Sequence, residues 1–150
     1  MTFQTRNPDF EARVRGSFAR QAAMRLIGAR ITLVEPGKVE IELPVRDDLG
    51  QQHGFVHGGV VGMIADSAGG YAAFTLMPAD ASVLTVEYKV NMIAPAEGEL
   101  LIARGEVLKP GRSLSVVRAD VWARRGGQET RVAAMQQTLM VMNGMADERI

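Results

Sequence analysis

One acid stands out for the company it keeps. Asp66 lies within His57-Gly58-Gly59-Val60-Val61-Gly62-Met63-Ile64-Ala65-Asp66-Ser67-Ala68-Gly69-Gly70-Tyr71-Ala72-Ala73-Phe74, where nearly every neighbour is apolar or very small. Moving a carboxylate from water into such surroundings costs several kcal/mol unless it is paired. An acid kept at that cost is a candidate general base or nucleophile. Eight residues before it, Gly58 and Gly59 begin the same segment. In the first turn of a helix, backbone N–H groups lack intrahelical acceptors and carry partial positive charge. Glycine lets a ligand come close to them. Such amides polarise a carbonyl and hold an oxyanion. A rise of about 1.5 Å per residue puts Gly58 about 12 Å along the axis from Asp66. That is too far for both to act on one small group within a chain. A site using both takes Asp66 from one subunit and the Gly58 amide from another.

Other chemical readings of the segment fail on spacing. Ala65-Asp66-Ser67-Ala68-Gly69 nearly matches a nucleophile elbow, but that triad needs a histidine after the serine, and His53 and His57 both precede it. Those histidines are four apart without the intervening glutamate of a zincin helix, so no metal site is expected. No phosphate-binding loop or dinucleotide fingerprint is present. On a helical projection, Gly59, Gly62, Gly69 and Ala73 share the stripe of Asp66, with Gly70 beside it. Two explanations stand: a surface that lets another element pack closely, or a groove that admits a thin ligand.

The elements that position these residues are legible from periodicity. Asn7-Pro8-Asp9 reads as a helix start, and Phe10, Val14, Phe18, Ala22 and Leu26 continue at helical spacing until Gly28. Ile31–Val34 and Val39–Val45 read as strands around the turn Glu35-Pro36-Gly37-Lys38. A long central helix carries Asp66 and stops before Met77-Pro78. Four strands then read as a meander: 82–93, 100–108, 113–123 and 129–142. In the first of these, Leu84, Val86, Tyr88, Val90 and Met92 alternate with Thr85, Glu87, Lys89 and Asn91. Residues 143–150 read as a flexible tail. The expectation is one α+β domain over residues 1–150, with a helical segment at 1–28.

Composition narrows the function. The 150 residues are 47% hydrophobic and 23% charged, with zero formal net charge and no cysteine. Neutral charge gives no footprint for nucleic acid or an anionic membrane. The absence of cysteine rules out disulfides and thiolate chemistry. Residues 55–77 are long enough for a membrane span but include Asp66, His57 and several glycines, so a buried helix is expected. The charged N-terminal stretch lacks an apolar signal core, and a cytoplasmic location is expected.

Gln51 to Ala68, Q-Q-H-G-F-V-H-G-G-V-V-G-M-I-A-D-S-A, resembles the signature of hotdog-fold acyl-CoA thioesterases, most closely the phenylacetate-pathway type and its hydroxybenzoyl-CoA relatives. Leu84–Asn91, Ala94-Pro95-Ala96, Gly105-Glu106-Val107 and Gly111-Arg112-Ser113 extend the similarity, which spans about Ile31 to Met142. The resemblance implies a hotdog fold, in which an antiparallel sheet wraps a long helix. It also implies chains paired edge to edge, active sites across that interface, and dimers joined into a homotetramer. By position, Asp66 is the implied base or nucleophile, the Gly58 amide the implied carbonyl polariser, and Gln51 a third catalytic residue. Many relatives have asparagine at the position of Gln51, and the hydroxybenzoyl branch has glutamine. That branch has threonine where this chain has Gly70. Thr85 falls where some relatives use a hydroxyl near the attacking water. His57 and Gly59 border the amide and are implied in substrate binding. Lys109, Arg112 and Arg124 are candidates for the nucleotide of coenzyme A. The implied activity is hydrolysis of an acyl-CoA thioester, with no cofactor beyond the coenzyme A of the substrate. A non-catalytic acyl-CoA-binding protein and a hydroxyacyl-thioester dehydratase are the competing readings.

Overall fold

The computed structural model describes residues 2–147. Its centre is the helix that carries Asp66, α3 (Gly58–Phe74), which is apolar nearly all round and therefore belongs inside. Val61, Ile64, Ala65, Ala68, Ala72 and Phe74 are buried. A six-stranded antiparallel sheet curls around the helix: β1 (Arg30–Glu35), β2 (Lys38–Pro44), β3 (Ala81–Met92), β4 (Leu100–Lys109), β5 (Leu114–Arg125) and β6 (Gln128–Asn143). Inward residues alternate along each strand, as in Val39, Ile41 and Leu43 of β2 and Val117, Ala119 and Val121 of β5. This is the wrapping that the resemblance implies. Among the described residues, no helix is long and apolar enough to cross a membrane.

Glycine makes the helix–sheet approach possible at Gly105 of β4. A Cβ there would overlap the Ala68 carbonyl oxygen, so the strand backbone lies directly against the helix. The β1–β2 turn is Pro36-Gly37, with Gly37 at φ 79°, as its sequence predicts.

Three sequence expectations are corrected. The N-terminal helix is two helices, α1 (Phe10–Arg20) and α2 (Ala22–Ile27), because Gln21 is extended at φ −70°, ψ 103°. The break resets the helical phase, so Met24 and Ile27 are buried while Leu26 is 79% exposed. The four later strands are not a simple meander. The sheet order is β1-β2-β4-β5-β6-β3, because β2 occupies the β4 edge that β3 would have used, and β3 pairs with β6 instead. This leaves β3 at a sheet edge. The third correction is a bulge in β3, where the register shifts between Thr85 and Glu87. One extra residue inverts the alternation. Thr85 therefore shares the helix-facing side with Tyr88 and Met92, while Leu84 and Val86 are 53% and 52% exposed.

Arg13 docks α1 against the far end of the core. It lies over the Phe74 ring at 4.0 Å and donates to the Pro78 carbonyl at 2.7 Å and to the Ala81 carbonyl. Burial lowers the pKa of Arg13, against the pull of Asp147 and Asp80. Asp147 ties the described end of the tail to this region through Arg20, at 2.7 Å. Residues 148–150 of the expected flexible tail lie outside the described residues.

Candidate active site

Asp66 is half-buried, not sealed in the core, and its carboxylate is held by two donors. The Thr85 hydroxyl donates to Oδ1 at 2.7 Å, and Gln137 Nε2 donates to the same oxygen at 2.9 Å. Gln137 Nε2 also reaches the Asp66 backbone carbonyl at 3.3 Å. Oδ2 accepts no hydrogen bond among the described residues. Oδ1 is thus committed to the protein, while Oδ2 is available for chemistry. The bulge in β3 turns Thr85 inward to make its contact.

Gln137 is the site residue that sequence reasoning missed. It is 0% exposed, and its Oε1 finds no hydrogen-bond partner among the described residues. An unpaired buried acceptor costs about 1–3 kcal/mol. Reversing the amide would bring that oxygen against the Asp66 carboxylate, so the observed orientation is the better one. Gly69 belongs to the same arrangement, since a Cβ there would overlap Gln137 Oε1. A sequence signal was available. Gln137 shares the inward phase of Met135, Leu139 and Val141 along β6, and a lone amide on a buried face needs a partner.

The start of α3 selects one amide. His57 is the N-cap, and its Nδ1 accepts the Gly59 N–H at 2.8 Å. The next two N–H groups, of Val60 and Val61, reach the His57 carbonyl at 2.9 and 3.2 Å. The Gly58 N–H donates to nothing among the described residues and remains for a ligand. His57 therefore consumes the Gly59 amide and leaves that of Gly58. The entering loop is fixed by Val56 N–H to Ala96 O at 2.8 Å and His57 N–H to Leu49 O at 2.9 Å. Gln51 lies in this loop, where its side-chain oxygen accepts the His53 N–H and its backbone N–H reaches Phe55 O at 2.8 Å. Among the described residues, no group of three or more His, Asp or Glu side chains is placed to hold a metal ion.

A chamber of about 400 Å³ opens beside Asp66. Gly70 and Tyr71 of α3, Thr85 of β3, and Ser17 and Gln21 from the N-terminal segment are among its lining. The Tyr71 hydroxyl meets Ser17 Oγ at 3.1 Å and Gln21 Nε2 at 3.0 Å. Burial raises the Tyr71 pKa, against these two hydrogen bonds, so the ring stays neutral. The glycine stripe thus has two uses. Gly69 makes room for Gln137, whereas a Cβ on Gly70 would meet nothing within 4 Å. Close packing, the first explanation open at the sequence level, holds at Gly69, whereas Gly70 borders open space at the chamber.

Asp66 and Thr85 are in contact; His57, Gly58 and Gly59 form the start of α3, and Gln51 lies in the loop that enters it, bonded to His53. Lys109 and Arg112 are exposed at the β4–β5 turn and do not line the chamber. Arg124 is committed to Glu129 at 2.8 Å. Arg104 and Arg124 together hold the Glu129 carboxyl down to about 2.

Comparison with known proteins accords with this arrangement. The family model described as the thioesterase superfamily matches residues 53–130. A thioesterase family protein from Silicibacter pomeroyi is 52% identical, with a TM-score of 0.89 over 90% of this chain and 99% of that one. The 1,4-dihydroxy-2-naphthoyl-CoA hydrolase of Listeria monocytogenes is 32% identical over 60% of this chain and 73% of its own length. The PaaI protein from the phenylacetic acid degradation operon of E. coli shares the fold at 17% identity, with a TM-score of 0.83 over 94% of this chain and 99% of that one. A helix N-terminus with one free glycine amide, an acid two turns further on and a sheet wrapped around both occur here in a chain that belongs to the thioesterase superfamily and has its hotdog fold.

Proposed function

We propose that the protein hydrolyses acyl-CoA thioesters in an active site shared by two subunits. The observation that carries this reading is the Asp66 carboxylate, with Oδ1 held by Thr85 and Gln137 and Oδ2 left open beside a chamber large enough for an acyl group. The Gly58 amide of one chain polarises the thioester carbonyl, and Asp66 of the other acts on the carbonyl carbon. Asp66 has two routes. As a base it takes a proton from water, the resulting hydroxide adds to the carbonyl, and the tetrahedral oxyanion collapses to acid and coenzyme A thiolate. As a nucleophile it adds directly and expels the thiolate, and water then opens the anhydride. A single turnover in ¹⁸O-water that leaves label on Asp66 identifies direct attack with water adding at the Asp66 carbon, whereas label in the product acid alone is common to both routes.

The edge position of β3 supports the dimer. A twelve-residue edge strand with exposed Leu84, Val86, Tyr88 and Met92 is a ready template for a second chain. Pairing there brings a second α3 to the first and relieves the 12 Å separation of about eight helical residues. Dimers then join into tetramers, and sedimentation over a concentration range reads both steps. Gln51 and His57 shape the amide end, and Lys109 and Arg112 are assigned to the coenzyme A nucleotide. The chain's lack of cysteine suits a cytoplasmic enzyme.

Asp66→Ala tests the assignment. Thiol release from a panel of acyl-CoA esters should show kcat reduced by about 10²-fold or more, with fold and assembly retained. Near-normal turnover in this variant overturns the reading.

A further inference from the structure

We propose that Gln137 is a positioning residue for catalysis, which holds Asp66 so that Oδ2 is presented to the substrate. The inference rests on the reading of Asp66 as the reacting group, and it adds a residue on a different element. Three observations converge on Gln137. Its Nε2 donates both to Asp66 Oδ1, at 2.9 Å, and to the Asp66 backbone carbonyl, at 3.3 Å, so it grips the side chain and main chain of one residue together. It is fully buried, and its Oε1 is left without a donor among the described residues. An apolar side chain of similar length would fill the same space without that unpaired acceptor. Gly69, on α3, is the third observation, because any side chain there would displace the amide. A residue whose polarity brings an unmet hydrogen bond, and for which the helix has been hollowed, is explained by what its amide N–H does for Asp66.

The division of the carboxylate follows from this geometry. Thr85 from β3 and Gln137 from β6 approach Oδ1 from separate elements. Two donors anchored on different strands leave the carboxylate little freedom to rotate. Thr85 is exposed and its hydroxyl can turn, whereas Gln137 is packed in the core and supplies the fixed contact. Gln137 touches neither chamber nor substrate and acts only through Asp66.

Gln137→Met removes both the donor and the unpaired oxygen at nearly constant volume. We expect the melting temperature to be retained or raised, with kcat reduced about tenfold or more and KM within about twofold on the same acyl-CoA. A structural role predicts the opposite: a lower melting temperature and an unchanged kcat per folded molecule. That result overturns the inference, as does full activity in a stable variant. Gln137→Leu repeats the measurement if methionine does not pack. A double-mutant cycle adds a readout that packing alone does not produce, since the Gln137→Met effect on rate should vanish in an Asp66→Ala background. Equal losses in both backgrounds overturn the inference. The Asp66→Ala single variant separates the two readings. Retained turnover there refutes the role of Asp66, whereas an inactive Asp66→Ala beside a fully active Gln137→Met refutes only the role of Gln137.

Discussion

At the residue scale, the site depends on which hydrogen bonds are already made. His57 caps the Gly59 amide, and this leaves the Gly58 N–H without an acceptor among the described residues, the donor proposed for a substrate carbonyl. Proline at this position is informative because the first helical residue needs no intrahelical N–H bond, and proline suits its backbone. The preceding residue, His57, lies at φ −58°, ψ 135°, a conformation that a following proline favours. A Cβ at Gly58 meets only the flexible Met92 Cε, at 3.4 Å. Gly58→Pro should therefore fold and melt close to the native protein, yet lose about 10²-fold or more in kcat through loss of one oxyanion donor. Circular dichroism melting beside the thiol-release assay checks both parts. Gly58 and Asp66 stood out as candidates from residue types and spacing. Gln137 was harder to find, because its partner lies 71 residues away, beyond the reach of any local pattern.

At the scale of elements, α3 serves two neighbours through adjacent glycines. Gly69 faces β6 and is filled by Gln137, whereas Gly70 faces the chamber. Gly70→Leu therefore narrows the chamber without disturbing the sheet, and it raises local helix propensity by about 1 kcal/mol. Its expected signature is a change in selectivity. The kcat/KM for bulky acyl-CoA esters should fall about tenfold relative to acetyl-CoA, because added side-chain volume discriminates by size. A uniform loss over the acyl panel would place the acyl group elsewhere. The N-terminal helices contribute to this chamber through Ser17 and Gln21, and the break at Gln21 lets its side chain reach Tyr71. Helical periodicity identified this segment but not the break. The break accompanies a contact between Gln21 and Tyr71 of α3, 50 residues away, which a local pattern does not contain.

For the whole molecule, the proposed unit of function is a pair of chains. Asp66→Ala and Gly58→Pro chains are each expected to be inactive alone, because each pure dimer lacks one partner at both sites. Mixed after separate purification and allowed to exchange, they form heterodimers in which one of the two sites has both Asp66 and the Gly58 amide. Random pairing should restore about a quarter of wild-type activity, since half the dimers are mixed and half their sites are intact. No recovery despite demonstrated subunit exchange would confine the site to one chain. The edge strand β3, with its exposed Leu84 and Val86, is the element proposed to carry this assembly.

The sequence by itself determined the class of elements, the amide-bearing helix start and the acid that follows it. Each of these is written in local signals: glycine at a helix N-terminus, period-two alternation, and a carboxylate among apolar neighbours. Tertiary structure decided which strand neighbours which, and how Asp66 is held. β3 was displaced to the edge because β2 already occupied the free side of β4. The bulge after Thr85 then inverted the face of the strand and brought that hydroxyl to Asp66. Gln137 completed the grip from β6. Strand order and the meeting of distant side chains follow from competition for the same edges and the same space. That competition exists only once the whole chain has packed.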